Sequence, residues 1–296
     1  MCGRQQLRRI EGVNITVIGL GPMGQAMVNV FLDNQHHVTV WNRTASRADA
    51  LVARGAVLAT TPAEAVAASD LIVLSLTDYQ AMYAILGDVD DLSTKTIVNL
   101  SSDTPDASRK AGAWARAKGA AFVTGGVMVP APMVGQEGAY VYYSGPAEEF
   151  DAYADELALL GKPEYVGADD GLAQLWYQAQ LDVFLTSLAS FLHAAALLAE
   201  AGVKPSEFAP WAASTLQLAA PFLTEAAEQI ESGEHPGDLS TVLMMGATAD
   251  HVAGASEAAG VDTALPKAVQ TLYRKAIEAG HGKANWTALY EVIKAR

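Results

Sequence analysis

Cysteine is almost absent from this chain, basic residues are scarce, and no metal-binding or hydrolase signature occurs. Cys2 is the single cysteine in 296 residues, which excludes an internal disulfide and a cysteine-based zinc site. Lys and Arg number 19 against 33 Asp and Glu, a formal net charge of −14. That deficit leaves little to neutralise a phosphate backbone or an anionic bilayer, so nucleic acid and membrane are not expected as partners. His36, His37, His193, His235, His251 and His281 show no ligand spacing with carboxylates or with each other. No G-x-S-x-G elbow or P-loop is present. The segment over residues 1–12, MCGRQQLRRIEG, is basic without the apolar stretch of a secretory signal and reads as a loose lead-in. With the lone cysteine it predicts a cytoplasmic protein.

What is present is apolar and well patterned. Hydrophobic residues make up 51% and charged ones 18%, enough for a full core and, by length, for two domains. The segment VNITVIGLGPMGQAMVNVFLDNQHHVTVWNR reads as strand, glycine turn, helix and second strand, the context that makes a G-x-G-x-x-G match specific for a dinucleotide. Gly19 permits the tight turn, Gly21 lets backbone approach a pyrophosphate, and Gly24 lets helix and strand pack closely. Leu20 and Met23 share this turn. An acid at the end of the second strand would hold the ribose of NAD, but Asn42, Arg43, Thr44 and Arg47 stand there. Guanidinium groups suit a 2′-phosphate, so NADPH is the expected cofactor.

Alternation continues through DLIVLSLTD, TIVNLSSDTP, AAFVTGGVMVPAP and a last strand, AYVYYSG. Ligands of open α/β sheets sit beyond the carboxyl ends of strands. This places Ser75, Leu76, Thr77, Asn99 and Ser101 along the ribose and nicotinamide region, and Met128 in a loop that can face a substrate. The expected fold is α/β: a Rossmann-type doubly wound parallel sheet over residues 13–168, a long interdomain helix over 169–200, and an all-helical domain over 201–296.

The stretch GLAQLWYQAQLDVFLTSLASFLHAAALLA, residues 171–199, is nearly all apolar and carries one formal charge, Asp182. A carboxylate there loses hydration, which favours its protonated form unless a partner is found. Asp182 is therefore the candidate acid. Val183 to Ala199 falls short of the ~20 apolar residues of a membrane span and contains Thr186, Ser187, Ser190 and His193, so a buried soluble helix is expected. The chain after it reads as helices only, punctuated by Gly202, Pro221, Gly233 and Gly260. Its apolar content exceeds what a small helical domain buries alone, which predicts interlocking with a second copy. Trp176, Tyr177, Phe184, Trp211, Met244 and Met245 are candidates for an apolar substrate pocket, with Gln178 as a polar member.

GLGPMG, WNRTASR, a long helix from near Gly171 and an all-helical second half resemble the β-hydroxyacid dehydrogenase superfamily. Those dehydrogenases carry a catalytic lysine in a G-x-x-x-K-x-x-N pattern on the long helix. Here the pattern falls on Gly171, Leu175 and Gln178, and no lysine occurs between Lys162 and Lys204. This substitution, with GGVMVPAP and HPGDLSTVLMMGATADHVAGAS, resembles the imine reductases and reductive aminases, which commonly have Asp or Tyr at the lysine's helix position. The resemblance implies NADPH, small imine, ketone or amine substrates, and a homodimer whose active site is shared between subunits. Leu243 and Met245 depart from the acidic and amide residues frequent in the pocket helix, which implies a shifted substrate range.

Chemistry points the same way. Hydride adds readily to C=N once nitrogen is protonated, and a carboxyl group can supply that proton or hold the resulting cation. A hydroxyacid would need a cationic clamp, which the long helix lacks. The expected activity is NADPH-dependent imine reduction with Asp182 as proton donor or iminium anchor. A carbonyl or hydroxyacid dehydrogenase and a non-catalytic NADPH-binding protein are the alternatives.

Overall fold

The computed structural model describes residues 12–89 and 91–294; Cys2 and the lead-in before Gly12 lie outside them. The chain forms two compact units, Met1–Leu181 and Asp182–Arg296.

The first unit is built on one sheet of eight strands: β1 (Asn14–Ile18), β2 (His37–Trp41), β3 (Val57–Leu58), β4 (Leu71–Leu74), β5 (Thr96–Asn99), β6 (Ala121–Val127), β7 (Tyr140–Ser144) and β8 (Lys162–Gly167). Their spatial order is β3-β2-β1-β4-β5-β6-β7-β8. Strands β1 to β6 are parallel, β7 runs antiparallel to β6, and β8 is parallel to β7. Neighbouring residues on one strand point to opposite faces. Val17, Leu71, Val98 and Val123 accordingly join one apolar layer with Met27 and Phe31. Ile18, Ile72, Ile97 and Phe122 join the other with Tyr79 and Met82. Burial on both faces is why these strands read as continuous apolar runs rather than alternations.

The expected sheet ended at β7, and β8 is a correction. Its sequence, KPEYVG, is exposed or half-buried throughout. An edge strand that includes proline and two charges carries no apolar run from which to read it.

Strand order reverses between β1 and β4, opening a crevice at their carboxyl ends. The helix Pro22–Asp33 starts directly at that crevice.

The second unit contains the remainder of the spine helix (Leu172–Ala199) followed by helices Pro205–Ala219, Phe222–Ser232, Val242–Ala258 and Ala264–Glu278. No strand occurs among its described residues. Gly233 closes Phe222–Ser232 in the left-handed region at φ 72°, where a side chain would be strained. The core of this unit is small: Val242, Ala249, Tyr273, Ala276 and Ala288.

The spine helix departs from expectation. Rather than being buried, it leaves Val183, Phe184, Leu185, Leu188 and Leu192 exposed, with Val183 and Leu192 each at 65%. None of the residues of that core comes from the spine helix, and the helix's apolar face is left to solvent in a single chain.

Candidate active site

The nucleotide cleft is built by the glycine turn. Gly19 has φ +98°, and a Cβ there would meet the Ser75 carbonyl oxygen at 2.2 Å. Both its strain and its close approach require glycine. A Cβ on Gly24 would meet the Gly19 oxygen at 2.0 Å, whereas one on Gly21 would meet nothing within 4 Å. Gly21 therefore opens space over the turn, and Gly24 closes helix onto turn. The helix starts at Gly21 with Pro22 at its first position and no side-chain cap. Its free N–H groups and positive dipole end face the crevice.

The cleft has a volume of about 540 Å³ and is lined by Gly19, Leu20, Gly21, Met23, Asn42, Arg43, Thr44, Arg47, Ser75, Leu76 and Thr77, with Trp41 and the helix face Ala81, Ala84 and Ile85. Among the described residues no carboxylate lines it. Asn42 organises the turn: its Oδ1 accepts from Leu20 N at 3.0 Å, and its Nδ2 donates to Thr44 O at 2.9 Å. Arg43 and Arg47 are exposed, and among the described residues neither forms an ion pair.

Asn99 and Ser101 sit behind this wall rather than on it. Asn99 is fully buried, with its Nδ2 3.5 Å from Met82 Sδ and its Oδ1 accepting from Ser101 N at 3.0 Å. Ser101 Oγ accepts from Leu76 N at 3.0 Å. Both side chains fold back onto backbone and support the cleft from below.

The start of the spine helix is fastened to the same unit. Ser144 Oγ accepts from Ala173 N at 2.9 Å, and Asp169 Oδ1 accepts from Gly171 N at 2.8 Å and from the Arg109 guanidinium at 2.9 Å. Burial pushes the Asp170 carboxyl above its ordinary value, opposed by its ion pair with Arg116. One turn on is a residue that the sequence did not reveal, Gln174, whose fully buried amide bonds three backbone groups. Gln178 donates from Nε2 to Asp103 O at 3.1 Å and to Ser102 Oγ at 3.3 Å.

Between the two glutamines, Tyr177 lies on β6: a Cβ on Gly126 would meet Tyr177 Cβ at 2.9 Å. Trp176 is half exposed and packs on Tyr142 with ring centroids 5.5 Å apart. Met128, just after β6, is half-buried. Gln174, Tyr177 and Gln178 thus lie over the carboxyl ends of β5 and β6, beside the crevice.

In the second unit, Asp182 is exposed, and its side chain makes no hydrogen bond or ion pair among the described residues. The apolar enclosure read around it is not supplied by this unit. Trp211 and Met244 are also exposed, at 72% and 63%. Met245 instead lines a cleft of about 430 Å³ with Phe222, Leu223, Leu239 and Trp286. Within this unit, Trp211 and Met244 do not line that cleft.

Known proteins share both halves. Residues 14–167 match the NAD binding domain of 6-phosphogluconate dehydrogenase, and residues 169–295 match the NADPH-dependent reductive aminase-like C-terminal domain. The chain is 34% identical over 291 residues to an NADPH-dependent reductive aminase of Aspergillus oryzae, covering 95% of this chain and 97% of that protein. The chain belongs to the NADPH-dependent reductive aminase and imine reductase family. An imine reductase of that family from Bacillus cereus superposes with a TM-score of 0.86 at 44% identity, covering 96% of this chain and 99% of that one. A reductive aminase from Aspergillus terreus, solved in complex with NADPH and ethyl-5-oxohexanoate, superposes at 0.92 with 35% identity, covering 96% and 100%.

Proposed function

We propose that this chain reduces C=N bonds to amines with NADPH, acting on preformed imines and on the condensation products of small ketones and amines. The observation that carries the reading is the cleft itself: it is lined by two guanidinium groups that, among the described residues, form no ion pair, and by no carboxylate of those residues. An acid there would repel a 2′-phosphate, and paired arginines would be less free to bind one. The site fits the cofactor in other respects. Open space above Gly21 and uncapped N–H groups of helix Pro22–Asp33 suit a pyrophosphate, and Thr77, just beyond β4, also lines the cleft. When bound, NADPH supplies the hydride for the imine carbon.

The chain's own task is then to hold a proton or a cation at the imine nitrogen. Asp182 is the group singled out by the sequence. Tyr177 is favoured by a specific observation, its packing on Gly126 in the unit that contains the cleft. A tyrosine hydroxyl can donate to the nitrogen, and its ring can face an iminium cation. Asp182 takes the role only if further surface covers it.

Such surface is provided if two chains associate. The exposed apolar face of the spine helix and the cleft beside Met245 support a homodimer in which the helical half of one subunit completes the active site over the other's nucleotide. Trp211 and Met244 then become buried and join the substrate pocket. Light scattering at micromolar concentration is expected to give twice the chain mass; a monomer would end this part of the proposal. A cytoplasmic setting belongs to the same reading and rests on the lone cysteine.

The direct test is NADPH oxidation by purified protein with a small cyclic imine, with the matching ketone alone, and with the ketone plus amine. Turnover of the imine but not of the ketone alone is expected. Turnover of the ketone alone would return the chain to the carbonyl dehydrogenases.

A further inference from the structure

We infer that Gln174 is a positioning residue, which sets the register of the first turns of the spine helix, Tyr177 included, against the wall of the nucleotide cleft. The inference rests on the reading of that cleft as an NADPH site. Gln174 is fully buried, and its amide uses both donors and its acceptor. Nε2 donates to Ser101 O at 3.1 Å and to Gly125 O at 3.0 Å, while Oε1 accepts from Asp103 N at 3.2 Å. Those partners lie after β5 and on β6, so one side chain ties the helix to two adjacent strand ends. Neither methionine, which lacks donors, nor ionised glutamate, which has acceptors only, can reproduce the set.

From these partners the connection reaches the cleft in one more step. Ser101 Oγ accepts from Leu76 N at 3.0 Å, and Leu76 lines the cleft. Asp103 Oδ2 accepts from Tyr79 N at 3.2 Å, at the start of the helix whose Ala81, Ala84 and Ile85 line it further. Apolar packing is not directional and by itself leaves the register of a helix less sharply defined. Hydrogen bonds to fixed backbone groups do not. Tyr177 is one turn beyond Gln174, so a helix shift moves its hydroxyl relative to the cleft, and small misplacements cost much in rate.

Two variants test this. Gln174→Met strands two carbonyls and one N–H. It is expected to raise the NADPH Kd, read by cofactor fluorescence, by about fivefold and to lower kcat by about tenfold or more, with imine KM within about twofold. Gln174→Glu places a carboxylate against the Ser101 and Gly125 carbonyl oxygens, and its protonated form regains one donor. NADPH affinity and kcat are therefore expected to recover as pH falls, through an ionisation that the parent profile lacks. Among the described residues, the ionisable neighbour bonded to Gln174 is Asp103, through its backbone. Folded variants with parental Kd, kcat and pH profile would overturn the inference. If Gln174→Met does not fold, the pH series on Gln174→Glu decides. A parent chain that binds NADPH but reduces no imine would end the functional reading, while the Kd comparison would still test Gln174.

Discussion

Tyr177→Phe is expected to lower kcat for imine reduction by about 10²-fold, within the range for a lost general acid, while NADPH still binds with its parental Kd. Phenylalanine keeps the ring that packs on Gly126 and removes only the hydroxyl, so the fold of the first unit should hold. Asp182→Asn, measured beside it, separates the two candidates for the proton. If Tyr177 carries the role, the Asp182 variant should lose less than about tenfold, the scale of a lost auxiliary charge interaction. The reverse order of effects would assign the proton to Asp182 and would require a second chain to enclose it. Measurement of kcat and KM against one cyclic imine, with active sites counted by NADPH titration, decides between them.

Arg43→Ala combined with Arg47→Ala is expected to weaken NADPH by about two orders of magnitude, since each charge-assisted contact to a phosphate contributes about 1.5–3 kcal/mol before solvent screening. NADH should change little, because it has no 2′-phosphate for these groups to hold. Both side chains are exposed and without ion pairs among the described residues, so their removal should leave the first unit folded. Fluorescence titration of the two cofactors against parent and variant reads the effect as a ratio. An unchanged preference would show that the 2′-phosphate is held elsewhere.

The parts of this site that were legible in the sequence are local. Gly19, Gly21 and Gly24 announce a turn because their spacing follows from backbone geometry within six residues, and the structure gives each a distinct steric reason. Arg43, Thr44 and Arg47 follow from the end of one strand. Contacts between distant segments were not legible. Gln174 bonds partners 49 to 73 residues away, and nothing in LAQLWYQ marks it apart from Gln178 or Gln180. Asn99 ends β5 and Ser101 follows it, but position along a strand does not say which way a side chain folds, and theirs turn inward.

The helical half shows a different limit. Periodicity predicted its helices, because each needs only its own residues to reveal an apolar face. It did not say what covers those faces. The spine helix reads as buried and is largely exposed in one chain, since hydrophobicity indicates that a surface must be covered and not by which molecule. Strand β8 failed for the opposite reason: it pairs through backbone hydrogen bonds with few apolar side chains to declare it.

This chain is expected to move a hydride from NADPH to the carbon of a C=N bond. NADPH deuterated at the transferable nicotinamide position, supplied with a cyclic imine and the purified protein, tests it most directly. Mass spectrometry is expected to find the deuterium in the amine, bonded to the former imine carbon, with a rate slower than with unlabelled cofactor. An amine without label, or label found only in an alcohol from the matching ketone, would contradict the account.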